Sequence, residues 1–216
     1  ADVDFVVLRE NTEGLYVGVG GRFKAGTSEE IAVQEEINTY KGVHRIVRHA
    51  FEVARTRTRR AVCMADKSNA MQDGHALWQR VFREVSAEYP DVSARHLYID
   101  ALAMMLVQDP RQFDVIVTNN LFGDIITDIG GALQGGLGMA ASANLYPGRV
   151  SMFEPVHGSA PPLAGHDRAN PIGAILSVAL MFDALGRRDD AGRINRAVES
   201  AVLDGGVTSD VGGKQV

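Results

Sequence analysis

The hydrophobic positions of this chain follow two periods, one typical of buried strands and one typical of amphipathic helices. The apolar, β-branched run from residue 5 to residue 8 predicts a strand that is buried on both faces. Apolar residues then recur at spacings of three and four from residue 43 to residue 54, which predicts a helix with one apolar stripe. Between these elements, the segment EEIAVQEEIN at residues 29–38 alternates more loosely, so we predict a strand there that is exposed or paired with a partner.

Strands and helices continue to alternate as far as residue 133. Such alternation favours an α/β fold with parallel strands, in which ligands bind beyond the carboxyl ends of the strands. Residues 134–148 lose the periodicity and gain glycine, so we place a domain boundary after residue 134. The pattern predicts further strands at 60–65, 97–99, 113–117 and 151–153, and further helices at 74–87, 101–107, 121–133, 174–185 and 191–203.

The composition limits the kinds of molecule that we expect this protein to bind. The chain has 216 residues, of which 45% are hydrophobic, enough for a substantial core in one domain or two small ones. Its 22 Lys and Arg residues against 27 Asp and Glu residues give a net charge of −5, which argues against nucleic acid as a partner. A single cysteine, Cys63, and the lack of a long apolar run favour a cytoplasmic protein without a membrane span. We therefore expect small-molecule ligands.

The strongest local signal is a pair of acidic residues, Asp124 and Asp128, in the segment LFGDIITDIG. On a helix, their spacing of four places both carboxylates on one face. Like charges at this spacing repel, so the pair points to a compensating cation, and carboxylate oxygens suit Mg²⁺ or Mn²⁺. A solvated acidic face is the alternative. Asp100, which follows the strand HLYI, is either a third ligand or an N-cap.

Three other side chains lie just beyond predicted strands. Arg9 has a guanidinium suited to a carboxylate, and Tyr16 has a hydroxyl that can donate a proton to a carbanion or enolate. Lys67, in the segment ADKSNA, would act as a base if it were desolvated beside a metal. The alternatives are ordinary structural roles: an ion pair, a packed aromatic ring and an exposed lysine.

A Pro- and Gly-rich loop, FEPVHGSAPPLAG at residues 153–165, leaves a predicted strand and brings Glu154, His157 and Ser159 near one another in the sequence. Its backbone amides and its histidine are suited to phosphates or ribose hydroxyls. No stretch of the chain has the Rossmann G-x-G-x-x-G motif in its strand–turn–helix context. A packed surface loop is the alternative.

Five motifs in this order resemble those of the β-decarboxylating dehydrogenases, the isocitrate/isopropylmalate dehydrogenase family, over essentially the whole chain. They are RENTEGLY, DKSNA, YIDALAM, FDVIVTNNLFGDIITD, and FEPVHGSAP with ANPIGAILSVALM. The resemblance implies an α/β, isopropylmalate dehydrogenase-like fold in two domains, with a mixed sheet and helices on both faces. Residues 1–134 would form most of the smaller domain, for substrate, metal and dimerisation. Residues 135–216 would form the C-terminal half of the larger, nucleotide-binding domain.

The resemblance also assigns roles to single residues. Arg9 would bind the substrate, Lys67 would take the proton of its hydroxyl, and Tyr16 would protonate the enol left by decarboxylation. The other implied roles are substrate contact for Asn69 and Asp100, metal binding for Asp100, Asp124 and Asp128, and NAD binding for Glu154, His157, Gly158, Ser159, Ala160 and Asn170. The family supplies the equivalents of Lys67 and Asp100 from the neighbouring subunit. It therefore implies a homodimer with shared active sites, in which residues 29–38 are a candidate clasp.

The implied activity is the metal-dependent oxidative decarboxylation of a malate-type 2-hydroxy acid, with hydride transfer to NAD. Residues 18–52 and 66–78 are most similar to the bacterial 3-isopropylmalate branch, which serves leucine biosynthesis, while tartrate, homoisocitrate and isocitrate remain alternative substrates. Alternatives from other classes are a non-catalytic regulatory paralogue, which would be expected to lose catalytic groups, and a stand-alone dinucleotide-binding module.

The chain departs from the family pattern in two places. Pro162 and Leu163 stand where NADP-using relatives have Lys-Tyr, which favours NAD, although NAD-using relatives tend to have Asp there. The family's N-terminal third, which carries the helix that selects the substrate, has no counterpart in this sequence. We therefore expect a fragment or only the ordered part of a longer protein.

Overall fold

The computed structural model describes residues 3–146 and 148–213, and the chain divides into a first unit, residues 1–129, and a second unit, residues 130–216. The division falls after residue 129, within a helix that ends at residue 134, whereas the predicted boundary follows residue 134. In chain order the strands and α-helices that begin in the first unit are β1 (Val6–Arg9), β2 (Gly20–Phe23), β3 (Ile31–Gln34), α1 (Tyr40–Thr56), β4 (Ala61–Asp66), α2 (Gln72–Ala87), β5 (Ser93–Tyr98), α3 (Ile99–Gln108), β6 (Val115–Thr118) and α4 (Asn120–Gln134), the last of which continues into the second unit.

A four-stranded parallel sheet in the order β1-β6-β4-β5 organises the first unit. Along β4, Val62 and Met64 pack into a core formed with α1 and α2, whereas Cys63 and Ala65 pack into a second core formed with α3 and α4. Because both faces of the strand are buried, its sequence is a continuous apolar run and not an alternating one. The predicted α/β fold with parallel strands and helices on both faces is confirmed. The resemblance implied a mixed sheet, and the four-stranded sheet of the described residues is parallel throughout.

The strands β2 and β3 form a separate antiparallel hairpin in which every strand residue is exposed. The segment 29–38 was predicted to be a strand that is exposed or partner-paired, and the structure shows β3 exposed and paired within the chain. The strand β2 was not predicted, because the sequence GGRF carries neither a strand period nor β-branched residues. The hairpin exposes large apolar side chains, including those of Phe23 and Ile31, which are 61% and 56% exposed.

The second unit consists of the antiparallel strands β7 (Ala141–Asn144) and β8 (Met152–Pro155) and the helices α5 (Ile172–Ala184) and α6 (Arg188–Leu203). The helix α5 packs against both strands and against α6. The strand β7 was missed because its sequence, ASAN, is made of small and polar residues. In the described ranges, antiparallel pairing is confined to β2–β3 and β7–β8 apart from one isolated bridge, and the four-stranded sheet itself is parallel. None of the helices described is long and apolar enough to cross a membrane.

The carboxyl ends of the four parallel strands lie in register at one edge of the sheet. Arg9 at the end of β1 is opposite Thr118 at the end of β6, and Thr118 is opposite Ala65 in β4. Asp66, which ends β4, is opposite Tyr98, which ends β5. The residues that follow these positions therefore meet at the same edge, where ligands bind in sheets of this kind.

Candidate active site

The first cluster at this edge joins Arg9, Tyr16 and Asp124. The Nε of Arg9 donates to Asn120 Oδ1 at 2.9 Å, and its Nη1 donates to Asp124 Oδ1 at 2.8 Å. The hydroxyl of Tyr16 donates to the other oxygen of Asp124 at 3.2 Å, and the guanidinium of Arg9 lies 5.8 Å from the centre of the Tyr16 ring. The structure thus brings together three of the residues predicted to bind substrate, metal or a reacting proton.

Gly123 on α4, which has no side chain, leaves room for Arg9 to reach these partners. A Cβ at Gly123 would lie 2.5 Å from Arg9 Cγ, so only glycine leaves room for the arginine stem. The next residue, Glu10, is buried and accepts hydrogen bonds from the amides of Thr12 and Glu13 and from the Arg45 guanidinium. These bonds fix the turn that leads from β1 towards the tyrosine of the cluster.

Tyr16 keeps its proton in this setting. Desolvation and, after it, the hydrogen bond to Asp124 raise the pKa of the phenol above its ordinary value of 10.0. Tyr16 is 56% exposed, so it is accessible to a ligand. A phenol that stays protonated and is accessible can act as a proton donor.

Lys67 and Asp100 form a second cluster. Lys67 directly follows β4, and its Nζ lies 2.5 Å from Oδ1 of Asp100, which is in the first turn of α3. The hydrogen bond from Lys67 lowers the pKa of Asp100 and so keeps this carboxylate ionised. Asn69 lies exposed in the turn after Lys67. None of the described hydrogen bonds or ion pairs joins this cluster to the first one.

The predicted metal ligands are only partly assembled. Asp124 and Asp128 lie four residues apart on α4, as predicted, and their hard carboxylate oxygens fit a divalent cation. Nevertheless, in residues 3–146 and 148–213 no three acidic, His or Cys side chains lie close enough to hold one ion. Asp100 pairs with Lys67 instead. The described part of one chain therefore offers two carboxylates, and a complete site needs further donors.

Sequence reasoning missed several polar residues that are buried around these clusters. They are Glu10, Glu36, Asp66, His75, Asn119 and Asn120. The two asparagines directly follow β6, and a polar pair at the end of a buried strand is a signal that the sequence does contain. His75 stands three residues before Trp78 on the buried side of α2, and a polar residue on an apolar stripe is also a usable signal.

In the second unit, the predicted nucleotide-binding loop follows β8. His157 Nδ1 bonds to the carbonyl oxygen of Gly158 at 2.9 Å, and residues 158–160 are exposed. Ala160 has a φ of +42°, which turns the chain sharply before Pro161. The Nε2 of His157 is buried and has no hydrogen-bond partner among the described residues. Since an unsatisfied buried polar atom is costly, this atom fits a site that a ligand such as NAD completes.

The structure does not join the other two predicted nucleotide contacts to this loop by any described hydrogen bond. Glu154 accepts a hydrogen bond from Asn144 Nδ2 at 3.3 Å, across the β7–β8 pair. Asn170 accepts a bond from the amide of Ile172 and donates to Asp210 Oδ2 at 3.1 Å. Asp210 was not predicted, because it lies far along the chain and no local pattern points to it.

Comparison with known proteins identifies relatives over the full length of the chain. A model of the isocitrate/isopropylmalate dehydrogenase family matches residues 1–216. The 3-isopropylmalate dehydrogenase of Rhodococcus opacus is 52% identical over 98% of the chain, and that of Thermobifida fusca is 50% identical over 96%. Among solved structures, isocitrate dehydrogenase from Methylococcus capsulatus matches 97% of the chain with a TM-score of 0.90 and 42% identity.

The matches cover only part of those proteins. The chain spans 64% of the Rhodococcus relative, 60% of the Thermobifida relative and 62% of the Methylococcus chain. The TT0538 protein from Thermus thermophilus is also similar, with a TM-score of 0.89 and 42% identity, and 42% of its chain is covered.

Proposed function

The chain belongs to the isocitrate/isopropylmalate dehydrogenase family, and we propose that the protein oxidatively decarboxylates a malate-type 2-hydroxy acid with hydride transfer to NAD. We propose 3-isopropylmalate, the acid oxidised in leucine biosynthesis, as the substrate. This choice is supported by relatives at about half identity that carry the name 3-isopropylmalate dehydrogenase. The single buried cysteine is consistent with the proposed cytoplasmic location.

One observation carries the proposal: a guanidinium, a protonated phenol and a carboxylate meet at the carboxyl edge of a parallel sheet. The guanidinium of Arg9 is partly exposed there and would bind a substrate carboxylate. The Tyr16 hydroxyl, whose pKa is raised, would give its proton to the enolate that remains after CO₂ leaves. Lys67 would take the proton of the C2 hydroxyl as hydride leaves C2, and Asn69 would contact the substrate beside it.

Two bound groups complete this chemistry. A divalent cation, Mg²⁺ or Mn²⁺, would be held by Asp124 and Asp128 and by Asp100 of the partner subunit, and would stabilise negative charge on the C2 oxygen. NAD would accept the hydride and would be bound by the loop that contains His157, with contacts from Glu154, Gly158, Ser159, Ala160 and Asn170. The absence of a Lys-Tyr pair at Pro162 and Leu163 supports NAD over NADP.

We propose a homodimer as the working assembly. Two observations support it: the carboxylates in the described part of one chain do not form a complete cation site, and the β2–β3 hairpin exposes large apolar side chains. Burying such side chains against a second copy would be favourable. In this assembly, Lys67 of the partner subunit would serve the Arg9, Tyr16 and Asp124 cluster. A charged substitution, Phe23→Asp, should therefore convert the dimer to monomers, as measured by sedimentation.

Turnover of the whole protein tests the proposal. With NAD and Mn²⁺, we expect a higher kcat/KM on 3-isopropylmalate than on tartrate, homoisocitrate or isocitrate. The Methylococcus structure makes isocitrate the second candidate, because an isocitrate dehydrogenase shares 42% identity with the chain. A higher kcat/KM on any of the other acids would refute the substrate assignment, and no turnover on any acid would refute the activity.

A further inference from the structure

A buried histidine holds the backbone of the proposed catalytic lysine. The amide of Lys67 donates a hydrogen bond to Nδ1 of His75 at 2.8 Å. His75 lies in the first turn of α2 and is completely buried. The following amide, of Ser68, donates to Oδ1 of the buried Asp66 at 3.0 Å. Two consecutive amides in the connection between β4 and α2 are thus held by buried side chains and not by a backbone ladder.

The contacts of the ring define its protonation. Because Nδ1 accepts a hydrogen bond from an amide, the ring proton is on Nε2 and the imidazole is neutral. Nε2 lies 3.3 Å from Glu36 Oε2 and also 3.3 Å from Asn119 Nδ2. Since Nε2 carries the proton and Asn119 Nδ2 is itself a donor, Glu36 Oε2 is the acceptor, and Asn119 Nδ2 donates to the other oxygen of Glu36 at 2.9 Å. Asn119 in turn accepts the amide hydrogen of Phe122 at 2.9 Å and so begins α4.

Glu36 is suited to its role as the acceptor. Burial opposes ionisation of the carboxyl group, but hydrogen bonds from His75 and Asn119 contribute to a net lowering of its pKa. The carboxylate therefore stays ionised and favours the Nε2–H form of the ring. In the other neutral form, Nδ1–H would point at the Lys67 amide, and two donors would face each other.

We infer that His75 is a positioning residue: Glu36 fixes its Nε2–H tautomer, and Nδ1 then fixes the backbone of Lys67 and thereby the direction of its side-chain amino group. The inference rests on the proposed function, because it gives Lys67 the role of base. The contacts connect Lys67 through Glu36 to the segment that follows β3, and through Asn119 to the start of α4. No local sequence pattern links these four residues.

Two substitutions of His75 distinguish a role in positioning Lys67 from a role in packing. In His75→Asn, Oδ1 is two bonds from Cβ, as Nδ1 is, and can still accept the Lys67 amide. In His75→Gln, the longer side chain places its amide group at the position of Nε2, where it cannot accept the hydrogen bond from the Lys67 amide. We expect kcat of the whole protein to fall about 10- to 100-fold in H75Q, since small misplacements of reacting groups have effects of this size. In H75N we expect kcat close to that of the wild type, and in both variants a nearly unchanged substrate KM.

The acceptor can be tested in the same way. Glu36→Gln keeps one oxygen that can accept Nε2–H but turns its amide group towards Asn119 Nδ2, a second donor, so we expect a loss of kcat that is smaller than that in Glu36→Ala. Glu36→Ala removes the acceptor and frees the ring to change tautomer, so we expect a loss comparable to that of H75Q. His49→Gln, on α1 and away from this network, is the matched control for loss of a histidine and should leave kcat unchanged.

A readout independent of turnover distinguishes failure of this inference from failure of the proposed function. Hydrogen exchange at the Lys67 amide, resolved by fragmentation mass spectrometry, should be at least about fivefold faster in H75Q than in H75N, as expected for one lost hydrogen bond. Equal exchange in the two variants would overturn the inference even if the wild type is an active dehydrogenase. Faster exchange in H75Q would support the hydrogen bond even if no acid is turned over. Equal losses of kcat in H75N and H75Q would also overturn it.

Discussion

The two units build their candidate sites by different means. In the first unit, Arg9 and Tyr16 are bonded to Asp124, more than a hundred residues away in the sequence, because parallel strands end in register at one edge. In the second unit, His157 bonds to the carbonyl oxygen of the next residue, and residues 158–160 are exposed. The first site is assembled by the sheet, whereas the second is a loop with mainly local contacts.

This difference indicates which of the two sites is already ordered before a ligand binds. Side chains that are fixed by long-range hydrogen bonds lose little entropy when a ligand binds, so the first site is preorganised. The loop keeps a buried, unpartnered Nε2 on His157, which a ligand would satisfy. We therefore expect substitutions in the first unit to change the rate or the stability strongly, and substitutions in the loop to act mainly on NAD binding.

The largest effect should come from the proposed base. Lys67→Ala should lower kcat about 1000-fold, because general base catalysis contributes roughly 10²- to 10⁴-fold. Lys41→Ala, which removes an exposed lysine from the first turn of α1, is the control and should leave kcat unchanged. Steady-state kinetics of the purified proteins provide the measurement. Undiminished activity of a Lys67→Ala homodimer would refute the assignment.

A smaller effect is expected from the phenol. Tyr16→Phe should lower kcat about 100-fold, since it removes the proton donor and leaves the ring stacked against Arg9. Tyr146 in the second unit is a matched control, because the guanidinium of Arg149 lies 5.4 Å from the centre of its ring. Tyr146→Phe should leave kcat unchanged. Equal rate losses in the two variants would show that the effect belongs to general packing and not to the site.

Substitution of one glycine in each region compares the effect on the free energy of unfolding. Gly123→Ala would place a Cβ 2.5 Å from Arg9 Cγ, so we expect a loss of about 1–3 kcal/mol in the free energy of unfolding. Gly158→Ala in the loop meets no atom within 4 Å and should change stability by less than about 0.5 kcal/mol. Urea unfolding of both variants measures the contrast. Equal stability losses would contradict the preorganisation of the first site.

The sequence predicted the elements of the first unit better than the contacts between them. Continuous apolar runs identified β1, β4 and β6, and a helical stripe identified α1, because burial imposes those periods locally. The hydrogen bonds between Arg9 and Asp124, and between Lys67 and His75, depend on which strands are neighbours in the sheet. Local periodicity contains no such information, and only the family resemblance pointed to residues of the first cluster as a group.

Two short strands were not predicted at all. The strands β2 and β7 have the sequences GGRF and ASAN, in which no side-chain pattern distinguishes a strand from a loop. They form strands because a neighbouring segment supplies the hydrogen bonds, β3 for the first and β8 for the second.

The smallest expected effect concerns a thiol that takes no part in the chemistry. Cys63 lies on β4, and burial raises its pKa to about 11, so the reactive thiolate is scarce at neutral pH in the folded protein. We expect no labelling of Cys63 by an alkylating reagent until urea unfolds the first unit, and no change of activity in Cys63→Ala beyond a small loss of stability. Ser159→Cys, which places a thiol in the exposed loop of the second unit, should react at once and should be protected by NAD. Rapid labelling of Cys63 in the native protein would mean that the sheet under the first site opens readily, and the contrast between an ordered edge and an open loop would then be lost.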